Sequence, residues 1–144
     1  MSLPTSWHAD WSNLSALVLG LGKSGFSVAD TLVELGVDTT VVGRDADPKF
    51  IELIDVIGSR FIADESVEVL SQVGHFDFVV VSPGFDPRHP LVVKLTELGM
   101  PLITDIDLAW HLRDKTSRIA QWVVVTGTNG KTTVCELTAA MIAA

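Results

Sequence analysis

Two stretches carry residues whose types and order suit them to phosphate. The first is Thr126-Gly127-Thr128-Asn129-Gly130-Lys131-Thr132-Thr133, directly after the apolar run Trp122-Val123-Val124-Val125. A β-rich run, a glycine-bearing turn and Lys-Thr opening a helix make a cradle. Backbone N–H groups from Gly127 to Lys131 can point at phosphate oxygens, and the helix N-terminus adds partial positive charge. Lys131 can reach terminal phosphates, and the Thr132 hydroxyl can take a place on Mg²⁺. The spacing departs from the common phosphate-loop pattern, which would put a glycine at Val125. A chance Gly-Lys-Thr at a turn is the plain alternative. The strand, compact glycine turn, lysine and paired hydroxyls in sequence favour phosphate.

The second stretch, Gly20-Leu21-Gly22-Lys23-Ser24-Gly25, follows the apolar run Ala16-Leu17-Val18-Leu19 and opens an amphipathic segment. The first glycine permits a tight turn, the second close approach of a ligand's phosphates, and the third close helix–strand packing. A βα turn without a ligand is the alternative, and the strand-before, helix-after context argues against it. Dinucleotide sites place an acidic residue at the end of the next strand to hold a ribose. Here that point reads Val42-Gly43-Arg44-Asp45. Arg44 can hold a phosphate or stack on a base, and Asp45 can accept from a ribose or a base; both can equally be solvated loop residues. Ser82-Pro83-Gly84 ends another strand and should face the same crevice, although Pro-Gly is turn chemistry in itself.

The elements that must position these loops alternate short β-rich runs with amphipathic stretches. Strands are expected at 16–19, 39–42, 60–63, 76–81, 102–103 and 122–125, and helices at 24–35, 48–57, 66–72, 89–98, 106–112 and after Gly130. Asp47-Pro48 supplies a helix cap with proline at the first helical position. This alternation indicates βαβ units in an α/β fold: a Rossmann-like parallel sheet with flanking helices, followed by the first strand, phosphate loop and helix of a second unit. Phe78-Val79-Val80-Val81 and Val123-Val124-Val125 read as strands covered on both faces. The charged run 113–118 reads as a linker between a domain at 1–112 and a second beginning at 119. Only Val134 to Ala144 follow the loop, so the second unit is expected to be truncated.

Composition narrows the partners. At 144 residues and 47% hydrophobic the chain can bury a core. Eighteen acidic against ten basic residues give −8, which argues against a nucleic-acid surface but not against a nucleotide ligand. The single cysteine, Cys135, allows no intrachain disulfide and suits a reducing, cytoplasmic setting; it is expected to pack in the core. No run approaches the roughly 18 apolar residues of a membrane span, and the start shows no signal-peptide pattern. His89, before Pro90, is read as structural. His8, His75 and His111 lack metal-ligand spacing, and Trp7 and Trp11 are expected to cover a hydrophobic edge.

The Gly-Leu-Gly-x-Ser-Gly loop, the strand ending in Ser82-Pro83-Gly84, the segment Thr104-Asp105-Ile106-Asp107-Leu108 and Val123-Val124-Val125-Thr126-Gly127-Thr128-Asn129-Gly130-Lys131-Thr132-Thr133, in that order, resemble the Mur ligases. These are ATP-dependent amide-forming enzymes of peptidoglycan precursor synthesis, and within them the chain is similar to the MurD type. The resemblance implies that residues 1–112 bind UDP-N-acetylmuramoyl-L-alanine, with Gly20 to Gly25 as its loop. Gly22, Lys23 and Ser24 would lie at the diphosphate, Arg44 and Asp45 near the uracil, and Ser82 and Gly84 along the sugar-phosphate path. The family often has an acidic residue where this chain has Gly43. The resemblance also implies that Gly127 to Thr133 bind ATP, with Lys131 and Thr132 catalytic and Thr132 a Mg²⁺ ligand. D-Glutamate would be the second substrate, bound in a part of the protein beyond these residues. A monomeric, cytoplasmic parent and a fragment inactive alone are the remaining expectations. The rival reading is an NAD(P)-binding module or dehydrogenase, with Arg44 taking a 2′-phosphate; it leaves the loop at 127–133 without a use.

Overall fold

The computed structural model describes residues 3–116, 118–119 and 121–143. Five parallel strands, β1 (Ser15–Leu19), β2 (Asp38–Val42), β3 (Arg60–Ile62), β4 (Phe78–Val81) and β5 (Leu102–Thr104), form one sheet in the order β3-β2-β1-β4-β5. Helices α1 (Lys23–Glu34), α2 (Pro48–Val56), α3 (Leu70–Val73), α4 (Pro90–Glu97) and α5 (Asp105–His111) make the connections, and α6 (Lys131–Ala143) follows the second glycine loop. The chain builds outward from β1 to β3, then returns to the other side of β1 with β4. That reversal between β1 and β4 is the topological switch point, where open α/β sheets place their ligands.

The central strands β1 and β4 are apolar at every position but Ser15 because both faces are covered, and their alternation divides the core in two. Ala16, Val18, Val41, Phe78 and Val80 pack with α1, α2 and α5 through Val28, Ala29, Leu32, Ile54 and Leu108. Leu17, Leu19, Val42 and Val79 face the other way, against α4 through Leu91, Val92 and Leu95. Trp11, expected at an edge, is instead 1% exposed inside the first cluster, edge-on to Phe78 at 6.4 Å. Its indole N–H donates to Ser6 O at 2.9 Å, which lets so large a polar-tipped ring be buried.

Helix starts follow their capping chemistry. Asp47 accepts from Lys49 N at 2.9 Å ahead of Pro48, and His89 Nδ1 accepts from Leu91 N ahead of Pro90, the structural role expected for that histidine. Thr104 and Asp107 form a reciprocal capping box on α5, so the Thr-Asp-Ile-Asp-Leu segment has a local physical cause.

Several expectations are revised. The helix expected over 66–72 is a 3₁₀ turn (Val67–Val69) followed by the single turn α3, with Gly74 at φ 82° ending it. β4 starts two residues late, because Asp77 is occupied at its edge: its N–H donates to Ser15 O, and its carboxylate accepts from Ser15 N at 2.8 Å and Ser15 Oγ at 2.9 Å. Residues 122–125 do not form a strand. Val124 is 82% exposed, and among the described residues the run has no ladder partner to satisfy its backbone. Cys135 is exposed rather than in a core, because α6 buries none of its described residues.

The charged run after α5 is tied back to the body. The Asp114 carboxylate accepts from Trp7 N at 2.7 Å and from Ser6 Oγ. Lys115 Nζ lies 3.7 Å over the Trp7 ring and pairs with Glu34 at 2.9 Å.

Candidate functional site

The carboxyl edge of the sheet is stitched by the first residue of each loop that leaves it. Gly20 N donates to Val42 O at 2.7 Å, Gly43 N to Ile62 O at 3.2 Å and Ser82 N to Leu19 O at 3.0 Å. These bonds carry the parallel ladder one residue past the strands and form the floor of a cleft of about 360 Å³. Gly20 to Gly25, Arg44, Asp45, Ser82 and Gly84 all line it, so the structure gathers every residue of the expected first site around one opening.

The three glycines of the first loop have separate physical roles. Gly20 sits at φ +92°, where a side chain is strained, and Ser82 Oγ donates to its carbonyl at 3.3 Å. A Cβ on Gly25 would stand 2.0 Å from Gly20 O, so only glycine lets α1 approach the turn. Gly22 has an ordinary φ of −122° and nothing within 4 Å of where its Cβ would be. That empty space lies over the start of α1, whose N-cap makes no side-chain hydrogen bond and whose first turn holds no acidic residue. The amides of Lys23, Ser24 and Gly25 are thus left to an anion, with the helix dipole favouring it.

Gly43 and Pro83 line the cleft with their expected neighbours, and it also includes three residues that sequence reasoning passed over: Ala46, Glu65 and Phe85. Glu65 is the consequential one. It stands three residues past β3, beyond a strand carboxyl end where ligands gather, and it is the sheet order, with β3 beside β2, that brings it to this cleft. Its Oε1 accepts from Arg44 N at 2.8 Å, and its Oε2 lies 3.9 Å from His89 Nε2.

The second loop does not line this cleft. Gly127 and Gly130 adopt φ of +153° and +77°, and Val134 N donates to Gly130 O at 3.0 Å as α6 begins. Lys131 Nζ folds back to Gly127 O at 2.6 Å, with Thr128 O at 3.5 Å. The amine is therefore held by loop carbonyls at the mouth of the turn, where an anion could exchange for them. Thr132 and Thr133 lie exposed on the first turn of α6. No group of three or more His, Cys, Asp or Glu side chains suited to a metal occurs among the described residues. The donors present fit a hard cation held chiefly by phosphate oxygens, with one hydroxyl from the chain.

Residues 14–104 match the family model "Mur ligase MurD-like, N-terminal domain". The chain is 51% identical over 150 residues to a UDP-N-acetylmuramoylalanine–D-glutamate ligase of Leifsonia xyli, covering 97% of this chain and 29% of that one. It is 45% identical over 142 residues to the ligase of the same name from Tropheryma whipplei, covering 96% and 28%. The chain therefore spans under a third of the length of these relatives. Among solved structures, the UDP-N-acetylmuramate:L-alanyl-γ-D-glutamyl-meso-diaminopimelate ligase of Neisseria meningitides superposes with a TM-score of 0.61 at 15% identity. It covers 67% of this chain and 30% of that one, a likeness of fold.

Proposed function

The chain belongs to the Mur ligases through a MurD-like N-terminal domain, and from that premise we propose that it binds UDP-N-acetylmuramoyl-L-alanine for an ATP-dependent ligase that adds D-glutamate. The observation carrying this reading is the first cleft: an uncapped helix start, unoccupied space at Gly22 and flanking loops from β2 and β4 around one opening. Residues 1–112 form the substrate domain in this proposal, 113–118 the connection, and 119–144 the start of the ATP-binding domain. Gly22, Lys23 and Ser24 take the diphosphate, Arg44 and Asp45 lie at the uracil end, and Ser82 and Gly84 flank the path between.

Ligation is proposed for a protein of the relatives' length, not for these residues alone. There the alanyl carboxylate would attack the γ-phosphorus of ATP, forming an acyl phosphate and releasing ADP. The D-glutamate amine would then form the amide by displacing phosphate and losing a proton. Two anions must meet in the first step. Lys131 would leave Gly127 O for the terminal phosphates and offset charge as it redistributes. Gly127 to Gly130 would present amides, and the Thr132 hydroxyl would hold Mg²⁺, with Thr133 beside it. When bound, Mg²⁺ supplies further charge neutralisation. No helix among the described residues is long and apolar enough to cross a membrane; a cytoplasmic, monomeric parent that binds no nucleic acid completes the proposal.

Calorimetric titration of the chain with UDP-N-acetylmuramoyl-L-alanine, UDP and NADPH tests the first site. Binding of both uridine ligands without NADPH is expected, and tight NADPH binding without UDP would overturn it in favour of a dinucleotide module. In the full-length protein, Lys131→Ala should lower turnover by about 10²–10³-fold, the scale of removing one transition-state charge partner. Affinity for the uridine substrate should stay unchanged. A parallel fall in both would refute the division of labour between the loops.

A further inference from the structure

We propose that Glu65 is a specificity-determining residue at the nucleoside end of the cleft, its carboxylate accepting a hydrogen bond from an O–H or N–H of the bound nucleoside. The assignment rests on the UDP reading of the site.

Dinucleotide sites of this topology place an acceptor where β2 ends. Gly43 occupies that point and offers no side chain. A Cβ there would come within 3.3 Å of Leu21 N and 3.7 Å of the Phe61 ring, so the position has little room for one. Besides Asp45 on the same loop, an acceptor can come from the neighbouring strand, and β3 lies next to β2 in the sheet. Glu65 emerges three residues after β3 and lines the cleft.

The two carboxylates around the opening differ in how they are held. Asp45 is exposed, whereas the Glu65 side chain is only 22% exposed and its Oε1 is fixed by Arg44 N at 2.8 Å. A group held by its own protein loses less freedom on binding, so it discriminates better. Oε2 keeps its capacity to accept, because His89 Nε2 at 3.9 Å is beyond hydrogen-bond reach. That imidazole is itself fixed: Nδ1 accepts from Leu91 N at 3.2 Å, which in the neutral ring puts the proton on Nε2, and Phe85 packs against it at 4.8 Å. Charge gives the direction of the ligand. A carboxylate repels phosphate, so Glu65 marks the nucleoside side and the uncapped start of α1 marks the diphosphate side.

The test is calorimetry on the 144-residue chain with UDP, 2′-deoxy-UDP, N3-methyl-UDP and pyrophosphate, for wild type, Glu65→Gln and Glu65→Ala. The wild type should prefer UDP over one analogue by about tenfold, the ribose or the imide arm according to the donor used. Glu65→Ala should erase that preference while leaving pyrophosphate affinity unchanged. Glu65→Gln can still accept from Arg44 N, so it should keep the loop's melting behaviour yet weaken UDP discrimination. Undiminished preference in both variants would overturn the role of Glu65 and leave the UDP site standing. Equal loss for UDP and pyrophosphate would also overturn it, as a general structural effect. Failure of the wild type to bind UDP would remove the site and this role together.

Discussion

The two glycine loops are made of the same chemistry and held in opposite ways. The loop at 20–25 is welded into the sheet: Gly20 N reaches Val42 O, Ser82 Oγ reaches Gly20 O, and α1 presses so close that Gly25 can carry no side chain. The loop at 127–130 follows a run without strand partners and precedes a helix with no buried residue, its lysine folded onto its own carbonyls. Phosphate-binding amides are cheap to encode locally, but tertiary contacts fix where they point. One loop has those contacts among the described residues and the other does not.

The sharpest way to break that contrast is to put one methyl group in each loop. Gly25→Ala sets a Cβ 2.0 Å from a backbone carbonyl that cannot move without unstitching β1 from β2. The expected cost is about 3 kcal/mol, the upper end for overpacking, read as a lowered urea midpoint. Gly130→Ala has a strained φ of +77° but nothing within 4 Å of the new carbon. It should leave the sheet's midpoint within about 0.5 kcal/mol of wild type, since the loop is not part of what unfolds. Equal losses would mean that the second loop is bound into the same cooperative unit.

Acid should act on the first region. Asp77 is held below the usual carboxylate range first by the Ser15 backbone N–H, then by the Ser15 hydroxyl and His75, against an opposing desolvation effect. Asp107 is lowered by the Thr104 backbone N–H and then its hydroxyl. Both favour the ionised form more in the folded state. Their contribution is whole above the unfolded value of about 3.9 and is lost as pH falls through the lower folded values. Asp77→Ala should cost about 2 kcal/mol at pH 7, the scale of hydrogen bonds to a charged group, and should flatten the acid limb of stability against pH. An unchanged limb would show that the tie between the starts of β1 and β4 carries no stability.

Gly22 sharpens the contrast at the level of binding. Its φ of −122° suits alanine, and the methyl would enter empty space, so Gly22→Ala should fold as well as wild type. UDP affinity should fall by about tenfold, near 1.4 kcal/mol, because the methyl sits where a phosphate must approach. Unchanged affinity would place the diphosphate elsewhere.

Much of this was legible in the residues. Alternating apolar runs, Asp47-Pro48 and the glycines located five strands and most helices, because each is a local signal that the core reinforces. Three features were not legible, each for a nonlocal reason. Residues 122–125 have strand composition, but a parallel strand exists only through its neighbours. Cys135 looked like a core residue because α6 is apolar, yet burial needs a surface to pack on. Glu65 is an unremarkable loop acid until the sheet order sets β3 beside β2 and its carboxylate meets Arg44 N.

The smallest predicted effect concerns the contact that joins the two regions. Trp122 meets Trp110 of α5 edge-on at 5.4 Å and 85°, and the Arg113 guanidinium lies 4.1 Å over the Trp110 ring. Such an aromatic pair contributes about 0.5–1.5 kcal/mol. That is too little to order a run whose backbone lacks a ladder, but enough to bias where the run lies. Trp122→Ala should leave the urea midpoint of the sheet within about 0.5 kcal/mol of wild type. It should also shift the remaining tryptophan emission through Trp110, which is 48% exposed and would lose its partner ring. A midpoint lowered by more than that, with amide exchange rising in β5 and α5, would show that the second loop's segment braces the sheet, and the separation between the welded loop and the loose one would fail.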